Sequence, residues 1–266
     1  MLINSVILVL REVLEAALLI SVLLALSVRL RLSLSWLLWA LPATAIAVTL
    51  FAGFLDVMTD AFDGAGQELA SALLQAAVFL SLAGIVYFCS CRQRQASSPA
   101  LPLALLMSLA ATCALTREVS EVLIYVAGFA ASPDHRTAVF AGGAIGAGIG
   151  ISMGVLLYAG LRALRFLPFL NVCYVLLALI GAGMVMQSTM LLEQVDWMPV
   201  GQQLWDSSAL VGEQSLTGQL LYAVFGYEAT PSVVQGGIYL FCLATIAAAW
   251  ALPGLSDRTG VLDDAS

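Results

Sequence analysis

Residues 2–28 read LINSVILVLREVLEAALLISVLLALSV, and the charged residues of this apolar run all fall in its middle, in Arg11-Glu12-Val13-Leu14-Glu15. A hydrocarbon core needs about 20 predominantly apolar residues per helix, so the run is long enough to cross a membrane. Ionisable side chains at the bilayer centre cost at least about 2.5–3.5 kcal/mol each, and those that occur there usually have a partner or a function. The stretch therefore predicts a membrane helix with buried charges.

The composition of the whole chain agrees with a lipid environment. Of its 266 residues, 61% are hydrophobic and 10% are charged, and the mean hydropathy is +0.99. This leaves too little polar surface to coat a water-soluble globule. The net charge of −7, with ten arginines and no lysine, argues against a nucleic-acid partner, which would need a basic surface. A cationic substrate fits this charge better.

Apolar runs of membrane-spanning length recur along the chain, and the connections between them are short except for the last. We therefore predict an all-α integral membrane protein with seven transmembrane helices, in a single polytopic domain that covers residues 1–266. The predicted spans are 2–28, 34–55, 69–91, 100–131, 138–161, 166–192 and 233–253. The long connection, residues 193–231, is expected to be an outer loop with Trp197, Trp205 and Tyr222 at the membrane interface.

The arginines predict the orientation. In a seven-span arrangement Arg136 lies on one side, and the other loop and tail arginines lie on the opposite side: Arg29, Arg31, Arg92, Arg94, Arg162, Arg165 and Arg258. The positive-inside rule then predicts a multi-pass protein of the cell (inner or plasma) membrane with its N-terminus outside and its tail, 254–266, in the cytoplasm. The outer loops are rich in carboxylates, which would concentrate cations, although the sorting rule alone also accounts for them. The candidate entrance residues are Glu68, Asp60, Asp63 and Glu228.

The charged group of the first span recurs 106 residues later as Arg117-Glu118-Val119-Ser120-Glu121. The same shift carries the first three predicted spans approximately onto spans four to six. Because each unit holds an odd number of spans, the two units run in opposite directions, as in transporters whose substrate sites lie near the midplane. We predict repeat A at about 1–91, repeat B at about 100–192, and a seventh span outside the repeat.

Each motif places two glutamates three residues apart, on one face of a helix, with an arginine four residues before the second glutamate and within its reach. Four carboxylates and two guanidinium groups have a formal charge of −2, which a hard cation can balance if the two helices meet. Carboxylate oxygens suit ferric iron and, less selectively, ferrous iron, manganese, magnesium or calcium. The predicted metal ligands are Glu12, Glu15, Glu118 and Glu121, with Arg11 and Arg117 as supporting charges.

Several other functions are compatible with these residues. The motifs could form an arginine–glutamate clamp in a structural membrane protein, a proton relay in a carrier of another solute, or a path for another divalent metal. A di-iron oxidase of the bundle type usually needs Glu-x-x-His pairs. It is disfavoured because the only histidine, His135, lies in a short polar connection.

The two motifs resemble the signature of the high-affinity iron permease family, the oxidase-dependent iron transporters of fungi and bacteria, in which R-E-G-L-E or a near variant occurs in spans one and four. Two further segments, Glu68-Leu69 before span three and residues 225–232 before span seven, also resemble family segments. The chain departs from the family where Val13 and Val119 replace the motif glycine and where Ser71 replaces a carboxylate of span three.

The resemblance implies an iron uptake permease and not an enzyme. It implies seven spans with the N-terminus outside, the motif glutamates as iron ligands during passage, and iron as a transported substrate with no permanently bound cofactor. The implied partners are iron ions, the lipid bilayer, and an extracytoplasmic oxidase or iron-binding protein. The oligomeric state is left open.

Overall fold

The structure is a computed structural model that describes residues 1–94, 100–130, 133–212 and 215–263. Within these ranges the chain is helical apart from short connections and the longer segment 195–212. Its only strand-like feature there is an isolated bridge between Gln203 and Ser232. A short 3₁₀ turn, Ala61–Gly64, follows the third helix. The α-helices are α1 (Leu2–Arg29), α2 (Ser35–Gly53), α3 (Leu55–Asp60), α4 (Gly66–Arg94), α5 (Ala100–Ala130), α6 (Pro133–Ala163), α7 (Phe166–Gln194), α8 (Leu216–Phe225) and α9 (Val233–Asp263).

Among the described residues, six helices are long and apolar enough to cross a membrane, namely α2, α4, α5, α6, α7 and α9. The 28-residue helix α1 is also long enough, but its charged residues, Arg11, Glu12, Glu15 and Arg29, are spread along it and it is not one of the six. The predicted all-helical, membrane-spanning fold is confirmed, whereas the count of seven spans stays a prediction. The predicted tail continues α9 as far as Asp263, and residues 264–266 lie outside the described part of the chain.

The two motif helices, α1 and α5, touch each other and also pack against other long helices. Helix α1 contacts α6, and α5 contacts α2 and α4, while α4, α7 and α9 pack together. Each motif helix therefore lies against the second long helix of the other predicted repeat. Interlocked inverted repeats would pack in this way, although the repeat itself stays a prediction.

The contact between α1 and α6 depends on glycine. A Cβ atom on Gly146 would lie 2.5 Å from the carbonyl oxygen of Val6, and a Cβ atom on Gly150 would lie 2.9 Å from Cγ1 of Val13. Such close approach is typical of small-residue stripes in membrane helices. Gly150 thus makes room for the valine that replaces the family's motif glycine. The glycines that face α1 are Gly142, Gly146, Gly150 and Gly154.

The two ends of the bundle differ in polarity. The Met1 end, where α1 begins and α5 ends, is joined by a 2.7 Å hydrogen bond between the hydroxyls of Ser5 and Tyr125. The opposite half, toward Arg29, contains a large apolar core, in which the indole N–H of Trp36 donates to Ser27 over 2.9 Å. The charged motifs therefore lie between the Met1 end and the densely packed apolar half of the bundle.

The predicted outer loop contains a helix that the sequence did not predict, α8, which packs against α1 and α7. Its N-cap is Ser215, whose hydroxyl accepts from the N–H of Gly218, and it ends at Gly226 with a left-handed φ of 65°. A Cβ atom on Gly226 would lie 2.6 Å from Cα of Gly183 in α7. Gly183 lies roughly 16 Å along the axis from the end of α7, at about 1.5 Å per residue. Helix α8 is therefore inserted into the bundle.

The end of α7 is joined to the start of α9 by a buried glutamate. Glu193 accepts hydrogen bonds from Nε2 of Gln235 over 2.5 Å and from the hydroxyl of Ser232 over 3.3 Å. These bonds lie outside the motif cluster, so Glu193 provides a matched control for the motif glutamates.

Candidate cation site

The four motif glutamates converge where α1 meets α5. Three of them are almost completely buried, with exposed fractions of 0% for Glu12, 3% for Glu15 and 2% for Glu118. The side chain of Glu121 is 27% exposed, and it is the one nearest the Met1 end of α5. The two motifs therefore meet in the structure, which the sequence analysis had left as a condition.

Arg117 lies at the centre of this cluster. Its Nη1 atom is 2.9 Å from Oε1 of Glu118, 3.1 Å from Oε2 of Glu15 and 3.9 Å from Oε2 of Glu12. Its Nη2 atom is 2.8 Å from Oε1 of Glu121. A single buried guanidinium group thus contacts all four carboxylates and takes the central position that a bound cation would require.

Arg11 occupies the edge of the cluster. Its Nη2 atom is 2.5 Å from Oε1 of Glu12 and 3.7 Å from Oε2 of Glu121 on the other helix, and its guanidinium carbon lies 5.3 Å from the ring centre of Tyr222. The predicted pairing of each arginine with the second glutamate of its own motif is confirmed for Arg117. It is wrong for Arg11, because Glu15 is turned toward α5 and α7. The ring of Tyr222, in α8, thus lies next to the guanidinium group of Arg11.

Some polar atoms of the cluster have no hydrogen-bond partner. These buried atoms are Oε2 of Glu12, Oε2 of Glu118 and Nε of Arg117. A buried polar atom without a partner costs about 1–3 kcal/mol. With two arginines against four glutamates, the site would be stabilised by further positive charge.

In its present arrangement the cluster does not have the geometry of a metal site. Within the described ranges, no group of three or more histidine, cysteine or acidic side chains is placed to hold a metal ion. The position of Arg117 explains this, because its guanidinium group lies between the carboxylates. Metal ligation by all four glutamates therefore requires Arg117 to move.

Two amides that the motifs do not contain also belong to the site. Nε2 of Gln187 on α7 lies 3.2 Å from each oxygen of Glu15, and Nε2 of Gln75 on α4 donates to Oε1 of Gln187 over 2.8 Å. The spacing of the motifs on α1 and α5 did not reveal Gln187 or Gln75 as part of the site. The available signal was an uncharged polar residue inside an apolar run.

Two cavities with polar residues in their lining lie between the cluster and the Met1 end. One, of about 530 Å³, is lined by Glu68, Ser71, Glu121 and Tyr125 among others. The second, of about 460 Å³, is lined by Arg11, Asn4, Gln219, Tyr222, Tyr227 and Glu228 among others. Of the predicted entrance residues, Glu68 and Glu228 thus line cavities that reach the motifs. Asp60 is exposed at the end of α3 and lines neither cavity, and the side chain of Asp63 lies outside the described part of the structure.

A third cavity, of about 510 Å³, is a groove beside the cluster between α1, α5 and α6. Glu12 and Glu118 lie in its lining, which otherwise consists mainly of apolar side chains such as Ala16, Leu24 and Val119. Val119, the valine that replaces the motif glycine in α5, is 39% exposed, so the groove opens on the side of the bundle. The cluster therefore has polar residues toward the Met1 end and an apolar groove at its side.

The chain is similar to known proteins of one family. The family described as "Iron permease FTR1 family" matches residues 2–251. The chain belongs to this family. A similar curated protein is the ferrous iron permease EfeU of Shigella flexneri, which is 26% identical over 119 residues, or 44% of this chain and 51% of that protein. The matched region thus spans about half the length of that relative. No solved structure matches the chain. The predicted resemblance is confirmed, and the family is one of permeases.

Proposed function

We propose that this protein carries iron ions across the membrane and that Glu12, Glu15, Glu118 and Glu121 bind the ion during passage. The observation that carries the proposal is the convergence of the four glutamates around one buried guanidinium group. Membership of the iron permease family supports iron as the cargo. The name of the Shigella relative makes ferrous iron the first form to test.

The ion would reach the cluster from the Met1 end. In the predicted orientation this end faces outward, so Glu68 and Glu228 would attract cations into the two polar cavities, and Asp60 and Asp63 would add negative charge to the outer loops. Glu121 lines one cavity and Arg11 lines the other. The two cavities would then deliver the ion to the exposed edge of the cluster.

Arg117 would act as a tethered cation that the arriving ion replaces. Because its guanidinium contacts all four carboxylates, it neutralises the empty site at a position where it also blocks metal ligation. An incoming ion would exchange its hydration shell for carboxylate oxygens, which are suitable ligands for hard cations. Arg117 and Arg11 would then limit how tightly the ion is held, so that it can leave again.

The packed apolar core between the cluster and the Arg29 end would be the closed half of the path. A charged ion gains nothing from contact with this core, and hydrophobic constrictions can close a path by excluding water. Rearrangement of the two predicted repeats against each other would open this side, as in transporters built from inverted repeats. The glycine contact between α1 and α6 would allow these helices to slide.

An extracytoplasmic oxidase or iron-binding protein would dock at the Met1 end, where the segment between α7 and α9 folds over the bundle. Trp197 and Trp205 in this segment are 52% and 54% exposed. Aromatic side chains are common both in contact surfaces and at the membrane interface. The docking role is supported by the position of the segment next to the cavity that contains Glu228.

The residues of the cluster are also compatible with other functions. Carboxylate ligands do not by themselves distinguish iron from other divalent metals, and the contacts of Arg117 would also serve a purely structural clamp. A proton-coupled carrier on the same scaffold is a further alternative. Among these, cation transport best explains why two polar cavities reach the cluster.

The test is uptake of radioactive iron into proteoliposomes that contain the purified protein, with protein-free vesicles as the control. We expect saturable uptake of iron, with manganese, zinc and copper as weaker competitors. Stronger competition by one of these metals would mean that the family scaffold carries another cargo. Absence of metal uptake in correctly folded protein would contradict transport, and oxygen consumption on addition of ferrous iron would indicate an oxidase.

A further inference from the structure

A chain of buried polar side chains connects α4 and α7 to the motif cluster. The hydroxyl of Ser188 donates to Oε1 of Gln75 over 2.7 Å, Nε2 of Gln75 donates to Oε1 of Gln187 over 2.8 Å, and Nε2 of Gln187 reaches both oxygens of Glu15 at 3.2 Å. The exposed fractions of Gln75, Gln187 and Ser188 are 1%, 3% and 6%. Hydrogen bonds in such surroundings are strong, and an incomplete chain would be costly.

In this series of hydrogen bonds, each residue donates to the next one in the direction of Glu15. The oxygen of the Gln187 amide is occupied by the N–H of Gln75, and the oxygen of the Gln75 amide is occupied by the hydroxyl of Ser188. Gln187 must therefore present its NH₂ group to Glu15. The reverse orientation would place an amide oxygen against a carboxylate oxygen, and two acceptors cannot form a hydrogen bond.

Glu15 has two sources of hydrogen bonds, Arg117 and Gln187. If Arg117 moves away when an ion arrives, the Gln187 amide is the donor that still holds the carboxylate. We propose that Gln187 is a positioning residue that orients Glu15 for the ion, and that Gln75 fixes the orientation of the Gln187 amide. This inference rests on the transport function proposed above and assigns a role to two residues outside the R-E-x-x-E motifs.

The first test compares iron uptake by the Gln187→Leu and Gln187→Glu variants in proteoliposomes at matched protein content. Loss of an outer hydrogen bond to a metal ligand typically costs 10–100-fold in affinity, so we expect the apparent KM for iron to rise about tenfold or more in both variants. Leucine at position 187 removes the hydrogen-bond donor and the acceptor. Glutamate also removes the donor, but it has nearly the same shape as glutamine and still accepts from Gln75. The maximal rate should change much less than KM.

A double-mutant cycle tests the role of Gln75. Gln75→Leu should raise the apparent KM about threefold to tenfold when Gln187 is present, because the amide is then free to rotate. In the Gln187→Leu background it should add nothing, since residues that act through one another are not additive. If the effects of the two substitutions on KM were fully additive, Gln75 would not act through Gln187, and its proposed role would be wrong.

Gln93→Leu is the matched control. Gln93 also joins α4 to α7, through a 2.7 Å hydrogen bond from its Nε2 to the hydroxyl of Tyr174, but it lies roughly 27 Å along α4 from Gln75 at about 1.5 Å per residue. Its loss should leave the KM for iron unchanged. An equal rise in KM in this variant would mean that contact between α4 and α7 matters in general, and would overturn the positioning role.

Two further outcomes would overturn the inference while the transport function stands. They are an unchanged KM in both Gln187 variants, and a lower KM in Gln187→Glu, which would make position 187 a direct ligand. Loss of iron uptake in Glu15→Gln, measured alongside, shows that the assay reports on the cluster. Absence of uptake in the wild-type protein would instead overturn the proposed function, and the positioning role with it.

Discussion

Removal of the central guanidinium group tests whether Arg117 takes the place of a cation. In the Arg117→Ala variant, the short contacts to Glu15, Glu118 and Glu121 at 3.1, 2.9 and 2.8 Å are lost, and the buried carboxylates lose their central positive charge. Removal of one partner from a buried ion pair costs about 3–5 kcal/mol. At about 2–4 °C per kcal/mol for a chain of this size, the metal-free variant should melt roughly 6–20 °C below the wild type.

The thermal stability of Arg117→Ala should also depend on metal more strongly than that of the wild-type protein. With the guanidinium absent, the four carboxylates are free to bind a cation, and a ligand at 100 times its Kd stabilises a protein by about 2.7 kcal/mol. Anaerobic ferrous iron should therefore restore a large part of the lost Tm in Arg117→Ala. It should raise the Tm of the wild-type protein much less, because there the ion must displace the arginine.

The assay is thermal unfolding of the detergent-solubilised protein with and without ferrous iron, with magnesium as a comparison ion. Arg29→Ala is the control, since Arg29 donates to the carbonyl of Leu164 and lies over the rings of Phe166 and Phe169 at the opposite end of the bundle. Arg29→Ala should lower the Tm of the protein, and ferrous iron should not change the Tm of this variant. Equal responses of both variants to iron, or none in Arg117→Ala, would refute the assignment of Arg117 as a stand-in cation.

The remaining predictions concern helix contact, the second arginine and the entrance. Gly146→Ala should lower stability by about 1–3 kcal/mol through overpacking, whereas Gly148→Ala, with open space around it, should not; equal Tm values would contradict the close contact of α1 with α6. Arg11→Lys should reduce iron uptake less than Arg11→Ala, because it keeps the charge and loses only the fork; equal loss would show that geometry dominates. Glu68→Ala should raise the apparent KM for iron a few-fold, and replacement of the exposed Asp60, which lines neither cavity, should raise it less; the reverse order would move the entrance to α3.

The long helices could be predicted because apolar length alone determines them. The predicted span 69–91 corresponds to α4, Gly66–Arg94, and the predicted span 166–192 corresponds to α7, Phe166–Gln194. Helix α8 could not be predicted in the same way. It is short, and its position depends on the contact between Gly226 and Gly183, which are distant in sequence.

The charged residues of the cluster could be predicted, but not their connections or the two amides beside them. Spacing along one helix shows which residues share a face, and this was sufficient for the pair Arg117 and Glu121. It does not show which helix lies opposite that face, so the pairing of Glu15 with Arg117 and Gln187 was not foreseen. The stand-in position of Arg117 depends on this packing between helices.

The central claim is that iron passes through the paired motifs, and the most direct test is the uptake of radioactive iron by Glu12→Ala and Glu118→Ala proteoliposomes. Glu193→Ala is the matched control, because Glu193 is a buried glutamate that bonds Gln235 and Ser232 outside the cluster. We expect uptake at background level in both motif variants, at unchanged protein content, and near wild-type uptake in the control. Normal uptake in both motif variants would contradict the account, because iron would then cross the membrane without these carboxylates.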